Sequence, residues 1–262
     1  MPRSICKIAQ LKCGYIKEWM GSCDRVKEES ITDWLLYELS KSSSRIINIP
    51  FTRYVEGKLT GADWEWWILY PSRAIRLRIQ AKKLSQKNIN REMRKRGTNG
   101  YQMMMLINDS VSPRLYPNIP ALPLYVFYTD DSPPNTVCKG IDRGGAYLAS
   151  ANALYNYFFP TYYRSGVSIK NFPVPLFPLS SLFCCPKIFG CFDNFRFQGV
   201  DSDLVGMILD EFYRCFINIE NVPDKIIQIA SSSAKPKWFE LESEEYKRLM
   251  IFDLRMEGDR NV

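Results

Sequence analysis

Within residues 74–84, apolar and polar positions alternate without a break from Ile75 to Lys82. Ile75, Leu77, Ile79 and Ala81 fall on one side, and Arg76, Arg78, Gln80 and Lys82 on the other. A period of two marks a strand, and no other local pattern in the chain is as clean. The aromatic-rich run over residues 63–70 reads as a second strand, with Pro71-Ser72 turning the chain between the two. Upstream, Ile31, Leu35 and Leu39 form a stripe at helical spacing, widened by Trp34 and Leu36, so residues 26–41 read as an amphipathic helix ended by three serines. Residues 46–54 read as a strand interrupted at Pro50, and 57–61 as a turn. The apolar runs over 101–107 and 122–129 have strand length, with 85–99 helical before them.

This order predicts an α/β fold: a mixed central sheet flanked by helices, built from residues 1–130. Residues 131–262 read as a mostly helical or irregular extension packed on that core, with no linker clear enough to define an independent domain. Within it, 145–158 predicts a helix with Ala146, Ala149, Ala153 and Tyr157 along one side. Residues 160–199 are rich in Pro, Phe and Ser and have no period. Residues 204–216 predict a helix presenting Leu204, Met207, Ile208 and Phe212, and 244–250 a short one capped by Ser243.

With 262 residues, 46% of them hydrophobic and 14% aromatic, the chain is of globular type. No apolar run is long enough to cross a membrane, and the N-terminus lacks the apolar core of a signal peptide, so a cytoplasmic location is expected. Eight cysteines do not make a disulfide scaffold at this length. Cys6, Cys13, Cys23, Cys138 and Cys215 read as reduced, mostly buried thiols. Cys184, Cys185 and Cys191 lack the spacing of a zinc site and read the same way. The chain has no histidine. That excludes Ser-His-Asp, HNH-type and histidine-based zinc hydrolysis, and it denies a cysteine nucleophile its usual base. No Gly-x-x-x-x-Gly-Lys loop supports an ATP motor.

The net charge is +7. Its distribution matters more than its size: Arg73, Arg76, Arg78, Lys82, Lys83, Lys87, Arg91, Arg94, Lys95 and Arg96 crowd one window with Glu92 as the acidic exception. Arg76, Arg78, Lys83, Lys87 and Arg91 are therefore candidate nucleic-acid contacts. A solvated basic face is the plain alternative.

The chemistry sits where that window begins. Asp63 and Glu65 share a strand face, as do Gln80 and Lys82. If the two strands pair through the Pro71-Ser72 turn, the four groups converge. Asp63 and Gln80, with Glu65 as a further candidate, offer hard oxygens to Mg²⁺ or Mn²⁺. Glu65 has a second reading, as the ion-pair partner of an arginine such as Arg78. Lys82 would orient an attacking water or stabilise negative charge in the transition state. A first-helix glutamate would complete the site. Glu28 lies in phase with Ile31 and Leu35, and Glu29 nearer the edge with Thr32; both remain candidates. Trp64, Trp66 and Trp67 read as core.

Asp63 followed by Gln80-x-Lys82 resembles the PD-(D/E)xK, or restriction-endonuclease-like, nucleases, with glutamine in the acid position as in the Mrr-type branch. Glu28 to Asp33, Gly61 to Trp67, Gln80 to Leu84 and Leu182 to Cys185 further resemble an uncharacterised bacterial protein family. The first resemblance implies Mg²⁺- or Mn²⁺-dependent hydrolysis of DNA in bacterial defence or genome maintenance, alone, as a homo-oligomer or with a defence partner. Glutamine removes one negative charge from the metal, so weaker affinity follows. An RNA-directed nuclease and a catalytically silent binding module on the same fold are the alternatives.

Overall fold

The fold is described from a computed structural model, which defines residues 4–23, 25–50, 61–84, 93, 94, 96, 97, 100–111, 113, 116–133, 136, 137, 141–159, 172–184, 202–232 and 248–255. The expected turn over 57–61 and helix over 85–99 fall largely outside this set. The chain forms two compact units that alternate along the sequence, and neither ends at residue 130. The first comprises Met1–Leu39, Ala81–Lys95 and Leu124–Tyr213; the second comprises Ser40–Gln80, Arg96–Pro123 and Arg214–Val262.

In the first unit, helix α1 (Ile5–Ser22), for which the sequence pattern made no prediction, starts at Ser4, whose hydroxyl accepts the Lys7 N–H at 3.3 Å. Its buried residues Ile5, Ile8, Ala9, Cys13, Ile16 and Met20 recur every three or four positions, so a single stripe faces inward. Helix α2 (Glu28–Ser42) buries Ile31, Leu35, Leu36 and Leu39, as its pattern predicts. Strands β6 (Leu122–Thr129), β7 (Gly145–Ser150) and β8 (Phe177–Pro178) pair antiparallel, and α1 packs on β7. A Cβ at Gly145, where φ is +81°, would strike the Cys13 carbonyl oxygen, so glycine is what lets β7 begin this close to α1.

The pattern predicts one helix over 145–158; the structure divides it. β7 ends at Ser150, whose Oγ accepts the Ala153 N–H at 3.2 Å and caps helix α4 (Ala151–Phe158). Small apolar residues suit either state, and the serine cap decides where the helix starts. A second correction concerns the cysteines. Cys6 and Cys184 form a disulfide rather than two thiols. They are separated by 178 positions in sequence and meet because α1 packs on the short helix α5 (Ser181–Cys184). Cys13 is a buried thiol as expected, Cys23 an exposed one and Cys215 a half-buried one. Cys138, Cys185 and Cys191 lie outside the described residues.

The second unit holds a mixed sheet in the order β1 (Ile46–Pro50), β10 (Arg248–Asp253), β2 (Trp64–Leu69), β3 (Arg73–Lys83), with β9 (Phe216–Asn218) on the start of β3. β10 runs antiparallel to β1 and parallel to β2, while β2 and β3 are antiparallel. The pattern predicts a helix over 244–250; residues 248–250 instead open β10. Leu249, Met250, Ile251 and Phe252 are all buried, because strands flank them on both sides and a continuous apolar run serves a fully covered strand as well as a helix. Strands β4 (Arg96–Gly97) and β5 (Gly100–Tyr101) pair antiparallel with each other. Residues 102–107 are corrected the other way. They belong to helix α3 (Gln102–Val111), which buries Met103 and Leu106 and exposes Met104 and Val111. Helix α6 (Ser202–Arg214) and helix α7 (Asp224–Ser231) follow later in the chain. In the second unit Ile226 and Ile229 of α7 pack with Trp67, Leu69, Ala74, Leu249 and Ile251. The three strand tryptophans are core, as their pattern suggests.

The fold class is thus α/β, a mixed sheet with helices, and the residues after 130 contribute strands as well as helices. Among the described residues, no helix is long and apolar enough to cross a membrane.

Candidate active site

Pairing of β2 with β3 sets Glu65 opposite Arg78 and Trp67 opposite Arg76, with Trp64 opposite Ile79 and Trp66 opposite Leu77. Alternation then puts Glu65, Trp67, Arg76 and Arg78 on one face and the other four on the opposite face. One step beyond the strand, the Asp63 N–H donates to the Ile79 carbonyl at 2.8 Å, which brings the Asp63 side chain beside Gln80. Along this face of the second unit the character changes in order. Leu69 and Ala74 sit in the apolar core, Glu65 and its arginines come next, and Asp63 with Gln80 lies at the end.

Gln80 is buried and Asp63 half-buried. The Gln80 Nε2 amide donates to Asp63 Oδ2. Its Oε1 accepts from Gln102 Nε2 at 2.6 Å. Gln102, the first residue of α3, is absent from the sequence candidates because its segment reads as a strand. The available signal was Gly61. At φ +68°, a Cβ there would come within 2.5 Å of the Gln102 carbonyl oxygen and 2.7 Å of the Leu106 nitrogen. That close approach holds the first turn of α3 against the chain leading into Asp63.

Glu65 is not a metal ligand in this arrangement, and Arg76 and Arg78 are not surface contacts for nucleic acid. Glu65 is 1% exposed, Arg76 0% and Arg78 1%. Glu65 Oε1 accepts from Arg76 Nε at 2.9 Å and Trp67 Nε1 at 2.8 Å; Oε2 accepts from Arg76 Nη2 at 3.0 Å and Arg78 Nε at 3.2 Å. Arg76 also donates to the Ile119 carbonyl and Arg78 to the Asp109 carbonyl, and Arg78 forms an ion pair with the Asp109 carboxylate. Two guanidiniums and two carboxylates balance inside the unit. Every Glu65 oxygen is engaged, so the ion-pair alternative for this residue is the one observed.

In the first unit, Lys82 is 2% exposed, and its ammonium lies 3.7 Å from Glu28 Oε1. Glu28 Oε2 accepts the Lys83 N–H at 2.9 Å. Glu28 is therefore the glutamate that reaches β3, while Glu29 is solvent-exposed. Lys83 turns its Nζ onto the Val26 carbonyl at 3.1 Å, tying the end of β3 to the start of α2. Lys87 and Arg91 lie outside the described residues.

Among the described residues, no group of three or more Cys, Asp or Glu side chains gathers as a metal centre. The set that suits a hard divalent cation is smaller: the Asp63 carboxylate and the Gln80 amide oxygen, one anionic and one neutral donor. As it stands the amide presents nitrogen to Asp63. A half-turn about its last torsion presents oxygen instead.

The sequence model of a group described as "Family of unknown function (DUF6615)" matches residues 6–240. No curated protein and no solved structure matches the chain.

Proposed function

We propose that this chain, which belongs to that family, is a divalent-metal-dependent nuclease hydrolysing phosphodiester bonds of DNA, with its chemistry on the β3 face that bears Gln80 and Lys82. One observation carries the reading: an acid stands against each of these two same-face positions, Asp63 on Gln80 and Glu28 on Lys82. Buried amides and ammoniums are costly unless a partner or a task holds them. A buried amide matched to a carboxylate suits a group that must hold a cation, and a buried ammonium matched to a carboxylate suits a proton donor.

Asp63 and Gln80 would hold the ion. Mg²⁺ or Mn²⁺, when bound, supplies Lewis-acid activation of water and neutralises phosphate charge. Glu28 keeps the Lys82 ammonium in place. Lys82 donates hydrogen bonds to the attacking water or to the phosphate oxygen that gains charge. The same groups would accept RNA. The reading sets the chain to work on DNA in the cytoplasm, in defence or genome maintenance, alone, as a homo-oligomer or with a protein partner.

One observation favours a second reading, a catalytically silent binding module: Gln80 meets Asp63 through nitrogen, so the acid already has a partner without a cation. Incubating plasmid, linear duplex, single-stranded DNA and RNA with the purified protein, with Mg²⁺ or EDTA, separates the two. The nuclease reading expects metal-dependent product that Lys82→Ala abolishes. Retention by salt-sensitive binding alone, without product on any substrate, sinks it.

A further inference from the structure

We propose that Gln102 is a positioning residue for the cation, whose amide turns over together with that of Gln80 when a divalent ion binds beside Asp63. The inference rests on the cation reading above and adds the device that switches it.

A carboxylate only accepts hydrogen bonds, while an amide accepts at one end and donates at the other. Gln80 satisfies Asp63 by turning its Nε2 toward it. A cation reverses the demand, since both neighbours must then offer oxygen. Gln80 therefore has to turn. It does not turn alone, because its Oε1 is held by Gln102 Nε2 at 2.6 Å. Rotating only Gln80 would set NH₂ against NH₂ across that short gap, two buried donors without an acceptor. Rotating both amides restores the hydrogen bond with its polarity reversed: Gln80 Nε2 now donates to Gln102 Oε1.

Gln102 has the freedom this needs. Its Oε1 is buried and has no hydrogen-bond partner among the described residues. Buried acceptors are ordinarily paired, and an exception calls for an explanation. No second bond pins this amide or favours either orientation, so the neighbour decides between them. The backbone does not share this freedom, because the approach of Gly61 to the Gln102 carbonyl holds the start of α3 in place. The side chain thus turns on a fixed anchor.

The test uses the full-length protein with Mn²⁺ alone, its affinity read by calorimetry, and Mg²⁺ alone for side-chain amide NMR. Gln102→Glu gives residue 102 an acceptor-only end, which holds the Gln80 NH₂ and leaves its oxygen toward Asp63. It should tighten Mn²⁺ binding about fivefold more in the Gln80 background than in Gln80→Met, where only the added charge acts. In the wild-type protein, saturating Mg²⁺ should shift the side-chain NH₂ signals of both Gln80 and Gln102, each assigned by its loss on substitution with Met. The NMR arm decides the matter if Gln102→Glu does not fold. Absence of Mn²⁺ binding, or equal binding by Asp63→Asn, overturns the cation reading and this proposal together. Binding that depends on Asp63, with equal effects of Gln102→Glu in both backgrounds and an unmoved Gln102 signal, overturns this proposal alone.

Discussion

Arg76 grips Glu65 at both carboxylate oxygens inside the second unit, Nε on Oε1 at 2.9 Å and Nη2 on Oε2 at 3.0 Å. Fork-to-fork geometry of this kind is the strongest form of the arginine–carboxylate bond. Arg78 reaches the same carboxylate at 3.2 Å and continues to Asp109, so two buried cations share the Glu65 anion and one of them has a second.

Glu65→Ala should therefore destabilise the fold by about 3–5 kcal/mol, because it removes the carboxylate that two buried guanidiniums share and leaves one anion, Asp109, to balance both. Glu65→Gln should cost less, since it keeps acceptors for one arginine. A urea titration reads this as a lower midpoint at unchanged slope. An unchanged midpoint for Glu65→Ala would mean the cluster does not contribute as argued.

Glu28 and Glu29 are neighbours in sequence with opposite expected phenotypes. Glu28→Gln removes the charge beside Lys82 and should lower metal-dependent cleavage about 100-fold, in the range seen when one electrostatic group of an active site is lost. Glu29→Gln, on an exposed side chain, should leave the rate within about twofold. Rates at saturating Mg²⁺, with melting curves alongside, compare the two. Equal losses would remove Glu28 from its role.

Gly145→Ala should cost about 2 kcal/mol or more, since it combines a positive φ of +81° with a Cβ aimed at the Cys13 carbonyl. Gly206→Ala is the matched control. Gly206 lies inside α6 and has no atom within 4 Å of a built Cβ, so alanine should stabilise by about 0.5–1 kcal/mol through helix propensity. Thermal melts of the pair should move in opposite directions.

Alkaline pH should unfold the protein through Cys13. Burial, and next the Asp142 carboxylate, push its thiol up to about 12, against about 8.5 in an unfolded chain. The fold favours the neutral thiol, so this contribution is complete below about pH 8.5 and is lost as pH rises toward 12. Burial and Asp142 push the Tyr147 hydroxyl in the same direction. Melting temperature should fall from about pH 9 upward, and Cys13→Ala should make that fall shallower. A slope identical to wild type would exclude the thiol as its source.

Much of the candidate site is legible from local pattern. The period of two in β3 and the turn at Pro71-Ser72 suffice to set Asp63 beside Gln80 and Glu65 beside Arg78, while the helical phase of α2 leaves both Glu28 and Glu29 as candidates until the contact with Lys82 is seen. Each follows from geometry within a few residues. Gln102 is not legible, because the apolar run after it fits a strand as well as a helix. β10 reads ambiguously for the same reason.

The chain by itself determined which side chains share a face, because alternation and helical phase are properties of the backbone between near neighbours. Only the tertiary structure decided what covers each face. Arg76 and Arg78 alternate like solvent residues, yet Asp109 and the Ile119 carbonyl reach over them from later in the chain. Cys6 and Cys184 become a disulfide, and β10 enters between β1 and β2 from near the end of the sequence. Burial and pairing depend on partners distant in sequence, and no local period encodes where those partners arrive.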